Sequence, residues 1–296
     1  MNPMDKLIKA YAFEKMTRVY VADTTTLVQE AKDVHDLWPT ASAALGRFLT
    51  ASVIMGSMYK GAFDRDDAEL TLRVDADGPI EGMVATTNTQ GDVRGYVGNP
   101  HVFLQYDSGK LNVGGAVGNG QLHITKDLKI RDIFTSSVEL LTGEIAEDFA
   151  YYFKSSEQIP SVVSLGVKVD EHNNIIAAGG VILQMLPGFK DHHLNAVEDA
   201  FKKLPHISFM LEDGLTPEAI LSTITDDHQV LESMPLRYQC DCAREKFERG
   251  LISLGADELN TMIEEDGQIE TVCHFCMKKY TFDDLDIQTL IEESKK

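Results

Sequence analysis

All four cysteines of this 296-residue chain fall in its last fifth, as Cys240-Asp241-Cys242 and, after a gap of thirty residues, Cys273-His274-Phe275-Cys276. Two close pairs of thiols are the donor set of a closed tetrahedral zinc site, in which the protein fills every ligand position. In a reducing compartment, clustered cysteines are metal ligands or redox switches rather than permanent disulfides. The C-x-x-C pair has ordinary ligand spacing, whereas the C-x-C pair needs a tight turn to aim both sulfurs at one ion. His274 and His228 are alternative ligands, but four cysteines complete the shell, so either histidine is expected outside it. A thioredoxin-like reaction at Cys273 and Cys276 would leave the first pair unexplained.

A terminal unit of residues 236–296 would gain about 3–5 kcal/mol from its own apolar core. One structural zinc contributes about 10–16 kcal/mol near neutral pH. The metal is the larger quantity, so losing it is expected to unfold the unit. Local charge suggests an order of oxidation. Lys278 and Lys279 follow the second pair and favour thiolate, while Asp241 sits inside the first pair and opposes it. A C-x-x-C disulfide also closes with less strain than C-x-C. The expectation is that Cys273 pairs with Cys276 first, weakening zinc binding, and Cys240 pairs with Cys242 afterwards.

Ahead of this unit the chain reads as α+β. Residues 17–22 alternate like a strand, 25–38 follow a helical pattern stopped at Pro39, and Leu45, Leu49, Ser52, Met55 and Tyr59 mark a second helix ending by Gly61. Turn signals at Asp77-Gly78-Pro79, Gly91-Asp92 and Gly98-Asn99-Pro100 separate short strands at 69–74, 82–86, 93–97 and 102–106. Thr142 is a candidate cap for a helix carrying Ile145, Phe149 and Phe153, and 162–169 with 175–183 form a hairpin around 170–174. This predicts an N-terminal α+β domain, residues 1–187, with antiparallel sheets and helices. Residues 188–235 read as a charged helical linker in which the β pattern vanishes. One apolar stripe holds Leu194, Val197, Phe201 and Leu204; a second helix starts at Thr216-Pro217-Glu218 and carries Ile220, Leu221 and Ile224. Residues 236–296 form the small C-terminal zinc-binding domain.

The formal net charge of −20 argues against a nucleic-acid surface, which needs Lys and Arg against phosphate. The most apolar helix-like stretch, 41–58, is interrupted by Arg47 and reads as a core helix rather than a membrane span. Residues 1–16 mix Asp5, Lys6, Lys9, Glu14 and Lys15 into the apolar positions, so no signal peptide is expected and the cytosol is the expected compartment. The glycine-rich 114–120 lacks the order of a phosphate loop and reads as a flexible strand connection. There is no G-x-S-x-G elbow, and His101, His123 and His172 show no ligand spacing, so no catalytic residues and no enzyme are expected.

With these residues in hand, the chain resembles the 33 kDa chaperonin family over essentially its full length. Beyond the C-D-C and C-H-F-C pairs, the likeness rests on Ala44-Leu45-Gly46-Arg47, Val97-Gly98-Asn99-Pro100, Leu141-Thr142-Gly143-Glu144 and Gly179-Gly180-Val181. The resemblance implies an ATP-independent holdase that is silent while reduced and bound to one zinc ion. Oxidants would pair Cys240 with Cys242 and Cys273 with Cys276 and expel the metal. The linker and zinc domain would then lose structure, homodimers would form, and unfolding client proteins would be kept from aggregating.

Overall fold

The structure, a computed structural model, describes residues 5–61, 67–129 and 132–294. The chain divides into one compact unit ending at Gln239 and another beginning at Cys240.

The first unit opens with a hairpin of β1 (Lys6–Ala12) and β2 (Thr17–Asp23), closed by Phe13, Glu14 and Lys15, all at positive φ. Helix α1 (Thr25–His35) ends at Asp36 in the left-handed conformation, and α2 (Pro39–Ser57) begins with the proline itself at its first turn. Pro39 thus opens the second helix, where its missing N–H costs nothing. Strands β3 (Glu69–Ala76), β4 (Met83–Asn88) and β5 (Asp92–Val97) follow as a meander. A short helix, α3 (Val113–Val117), leads into β6 (Gly120–Asp127), β7 (Phe134–Glu139) and α4 (Ala146–Ser155). The hairpin of β8 (Ser161–Val169) and β9 (Ile175–Met185) comes next. After it run α5 (Asp191–Lys203), α6 (Ile207–Glu212), α7 (Pro217–Ile224), β10 (His228–Pro235) and the two-residue β11 (Arg237–Tyr238).

These strands form two sheets, in the orders β10-β1-β2-β9-β8 and β11-β5-β4-β3-β6-β7, antiparallel apart from the β11–β5 pairing. Helix α2 packs on strands of both, which is why every residue from Thr40 to Ser57 is buried. Arg47 interrupts its apolar run because it meets a partner: its guanidinium donates to the Glu144 carboxylate at 2.6 Å and to the Glu144 carbonyl at 3.1 Å. Gly46 has no room for a side chain, since a Cβ there would lie 2.6 Å from Val28 Cγ1 and 2.8 Å from Val167 Cγ2. Two of the sequence motifs quoted above therefore meet in one buried ion pair.

Burial pushes the Glu144 carboxyl up, but hydrogen bonds from Arg47, the Gly114 amide and Tyr106 outweigh it and hold the group below its ordinary value. A depressed folded-state pKa gives stability that is present above the unfolded value of about 4.3 and fades as pH falls through the folded one. Glu144→Gln leaves Arg47 as an uncompensated buried charge and should cost about 3 kcal/mol at pH 7. Urea unfolding at pH 7 and below pH 4 tests this. The difference between wild type and variant should shrink at the acid end, and an equal difference at both pH values would refute the pairing.

The five-stranded sheet is covered on both faces. One face meets α2; on the other, Ile8, Ala10, Val19, Val21, Val181 and Leu183 pack against Val197 of α5, Ile207 and Met210 of α6, and Ile220, Leu221 and Ile224 of α7. Both expected stripes thus lie on a sheet. Thr216 caps α7 as expected, its hydroxyl accepting from the Ala219 amide at 3.3 Å.

Several expectations are corrected. The β pattern does not vanish after residue 188: β10 pairs along all of β1. Its period was hidden because it is an edge strand with most side chains in solvent. Residues 102–106 form no named strand, only an isolated bridge between Gln105 and Leu111, with Phe103 and Tyr106 exposed. Thr142 does not cap α4; the Asp148 carboxylate does, accepting from the amides of Leu141, Thr142 and Ile145. The glycine-rich 114–120 is not a loose connection. Its amides are engaged, Gly114 with Glu144, Gly115 with Asn112, Gly118 with the Gly114 carbonyl and Asn119 with Asp77, so it offers no phosphate cradle. Among the described residues, no helix is long and apolar enough to cross a membrane.

The second unit holds α8 (Arg244–Ile252), α9 (Ala256–Asp266), the hairpin of β12 (Ile269–Val272) and β13 (Lys279–Phe282), and α10 (Asp284–Ser294). Its core is Leu251, Leu259, Ile269, Tyr280, Phe282, Ile287, Leu290 and Ile291. Arg244 braces it, donating to the Thr281 carbonyl at 2.7 Å and to Asp286 at 2.6 Å while lying over the Phe282 ring. The chain as a whole is α+β: antiparallel sheets with helices, followed by a small unit that carries the four cysteines.

Candidate metal centre

The β12–β13 hairpin is closed by a knuckle that carries the second cysteine pair. The Cys273 amide donates to the Lys278 carbonyl at 2.9 Å and the Met277 amide to the Cys273 carbonyl at 2.8 Å, with Met277 at positive φ. This turn brings Cys273 and Cys276 to one side. The first pair comes from the extended segment before α8, where the Tyr280 hydroxyl donates to the Cys242 carbonyl at 3.2 Å and lies 3.3 Å from Cys242 Sγ. Phe247 stacks on the Tyr280 ring with centroids 4.7 Å apart, fixing that hydroxyl.

All four Sγ atoms lie within 4.8 Å of one another, with Cys240 3.7 Å from Cys273 and Cys242 3.3 Å from Cys276. Sulfurs at about 2.3 Å from a tetrahedral zinc are about 3.8 Å apart, so the donor set has the dimensions such an ion requires. The cysteines are free thiols, well beyond the roughly 2.05 Å of a disulfide. Cys273 is the buried member and the other three are half-buried. Neither His274 nor His228 joins the four; His274 is exposed, and His228 Nδ1 bonds the Thr225 carbonyl in the first unit.

The local charges differ from those the sequence suggests. Lys279 pairs with Glu270 at 2.8 Å, Lys278 lies over the Tyr280 ring, and Asp241 is paired by Lys246 at 2.8 Å. Burial raises the Cys242 thiol, but hydrogen bonds from Tyr280 and the neighbouring thiols bring it down to about 7. Burial pushes Cys276 up. The charge argument for early oxidation of the second pair therefore loses its basis, since neither lysine is directed at it. Tyr280→Phe removes one hydroxyl from the Cys242 turn and should cost about 1 kcal/mol. Thermal unfolding of the terminal unit measures it; an unchanged midpoint would show that the hydroxyl does not hold that turn.

A second cluster escaped sequence reading. Glu14, His192 and His193 bring ligand atoms within 4.8 Å of one another, and the His-His doublet was its only signal. Its chemistry is that of a cap. The Lys190 amide donates to His193 Nδ1 at 3.0 Å, which places the ring proton on Nε2, facing Glu14 at 3.3 Å. His101 and His123 are held by Asp36 and Ser137, away from any such group.

A model of the Hsp33 protein family matches residues 5–283. The chain is 47% identical over 293 residues to the 33 kDa chaperonin of Bacillus licheniformis, covering 98% of this chain and 100% of that one. It is 45% identical over 294 residues to that of Bacillus subtilis, covering 98% and 99%. A crystal structure of the 33 kDa chaperonin (heat shock protein 33 homolog) from Thermotoga maritima superposes with a TM-score of 0.89 at 33% identity, covering 99% of both chains. Fold, cysteine cluster and full-length likeness agree, and the chain belongs to the Hsp33 family of chaperones.

Proposed function

We propose that this chaperone is a redox-switched holdase of the cytoplasm, held silent by one Zn²⁺ on Cys240, Cys242, Cys273 and Cys276. The observation that carries the reading is four free thiols gathered to the dimensions of a zinc site, in a unit whose core holds eight buried apolar side chains among the described residues. Bound zinc supplies folding energy to that unit and keeps the thiolates from reacting. Two equivalents of peroxide would each take two electrons from one pair of sulfurs and leave as water, forming the Cys240–Cys242 and Cys273–Cys276 disulfides, and a disulfide sulfur no longer holds the metal.

Residues 188–235 act as the linker whose order depends on that unit, between an N-terminal domain of residues 1–187 and a zinc domain of residues 236–296. The linker helices cover the outer face of the five-stranded sheet, so their release bares apolar surface on both the helices and the sheet. Such a surface takes unfolding clients and a second copy of the chain, while the net charge of −20 keeps the open form in solution. No catalytic step, nucleic acid or membrane has a place in this scheme.

The test is light scattering of a chemically unfolded client diluted into buffer with the protein, either reduced and zinc-loaded or treated with peroxide. Suppression only after oxidation, with one zinc released per chain, is the expected result. Equal suppression in both states would remove the switch, and no suppression with zinc retained would leave the site purely structural.

A further inference from the structure

Arg18, Tyr20 and Gln184 share a cavity in the first unit: Arg18 Nε and Gln184 Nε2 have no protein partner there, and the Tyr20 hydroxyl lies beside the Arg18 guanidinium. Strand register explains why they converge. Arg18 on β2 lies directly opposite Gln184 on β9, and Tyr20 is two residues along β2, so all three project from the same face of the sheet. This is the face that meets α2. Met55 and Met58 from α2 and its end, and Phe153 of α4, supply the apolar wall. The cavity measures about 230 Å³, and the half-buried Met58, Tyr59, Glu157 and Ile159 bring it to the surface.

The polar wall is made of donors. Arg18 is always charged, has its guanidinium over the Tyr11 ring, and forms no ion pair among the described residues. The one carboxylate on the rim, Glu157, is already engaged by Lys126 and by the Tyr152 hydroxyl. Tyr20 is fully buried, and burial pushes its hydroxyl up to about 12, so it stays protonated and able to donate at neutral pH. A half-buried cation whose neighbours are the neutral Tyr11 and Tyr20 hydroxyls, beside the unpaired Gln184 amide, is costly and is relieved by an acceptor that carries negative charge.

We propose that this cavity is a binding site for a small carboxylic acid with a compact apolar body, its carboxylate received by Arg18, Tyr20 and Gln184. The size fits: an apolar cavity of about 150 Å³ accommodates benzene, and the additional volume here takes a carboxylate. The site lies in the first unit, and its occupancy does not depend on the cysteine chemistry.

Titration calorimetry of the full-length, zinc-loaded protein with benzoate, and with benzyl alcohol as its neutral counterpart, tests the assignment. Saturable benzoate binding is expected, with benzyl alcohol at least tenfold weaker. Arg18→Met should weaken benzoate by about 10- to 100-fold, the value of one charge-assisted hydrogen bond. If that variant does not fold, Tyr20→Phe removes a single hydroxyl and should weaken benzoate several-fold. Equal affinity for the two probes, unchanged benzoate affinity in the folded variants, or a crystal grown in saturating benzoate with only ordered water in the cavity would each overturn the proposal.

Discussion

Protein carrying Cys273→Ser and purified under reducing conditions is expected to hold well under one zinc per chain and to have an unfolded terminal unit. Cys273 is the buried member of the cluster and is tied by its backbone into the knuckle, so its thiolate is the least replaceable of the four. The eight core side chains of that unit are worth about 3–5 kcal/mol, whereas a structural zinc is worth about 10–16 kcal/mol. Removing the larger contribution leaves the smaller unable to hold some 57 residues in place, from Cys240 to the end of the chain. Limited proteolysis should cut the variant beyond residue 188 while the strands of residues 6–185 survive, and a strong chelator should do the same to wild type. Stoichiometric zinc in the variant, or equal protease resistance with and without metal, would end the reading of these thiols as a metal centre.

The second large effect is expected from Ile220→Asp. Ile220 is fully buried between α7 and the outer face of the five-stranded sheet. The substitution removes a packed apolar side chain, worth about 2–5 kcal/mol, and places a charge among apolar side chains. Helix α7 has only eight residues and no stability apart from that contact. It should detach while zinc remains bound. If release of this face makes the client surface, the reduced variant will suppress aggregation as well as oxidised wild type does, and its dye-binding apolar surface will rise in parallel. A variant that loses α7, keeps its zinc and still holds no client would place the client surface elsewhere.

How much of this could be read from the sequence followed a physical rule. Segments with a chemical alternation or a bracketing turn announced themselves: the 17–22 alternation became β2, and the hairpin around 170–174 sits within a residue or two of where its turn signals put it. The cysteine cluster was legible because its donor set is contiguous in two short motifs, and a zinc ligand is chosen by element rather than by neighbourhood. Elements without a periodic signal were lost. In β1 the burial runs through Leu7, Ile8, Lys9 and Ala10 without alternation, and Lys9 is accommodated only because its ammonium reaches the Ser57 carbonyl and Glu232. Edge strand β10 is mostly polar or exposed. Long-range polar contacts were equally unreadable: nothing in Lys278 or Lys279 says that one lies on Tyr280 and the other on Glu270. The Arg18–Gln184 juxtaposition exists only through a register set 166 residues apart, and no local pattern encodes it.

The pairing of β1 with β10 has a consequence for how the protein is made. Residues 6–12 leave the ribosome well ahead of one of their two neighbours, residues 228–235, which follows about 220 residues later. At roughly 5–20 residues per second that interval lasts on the order of 10–40 s. Throughout it the N-terminal hairpin shows a bare strand edge, and the outer sheet face waits for residues 191–224 to arrive. Until then the nascent chain exposes the kind of strand edge and apolar face that chaperones cover. A translation pause placed just before residue 228 should raise its aggregation in the cell, whereas the same pause near residue 290, with residues 228–235 clear of the ribosomal exit tunnel, should not.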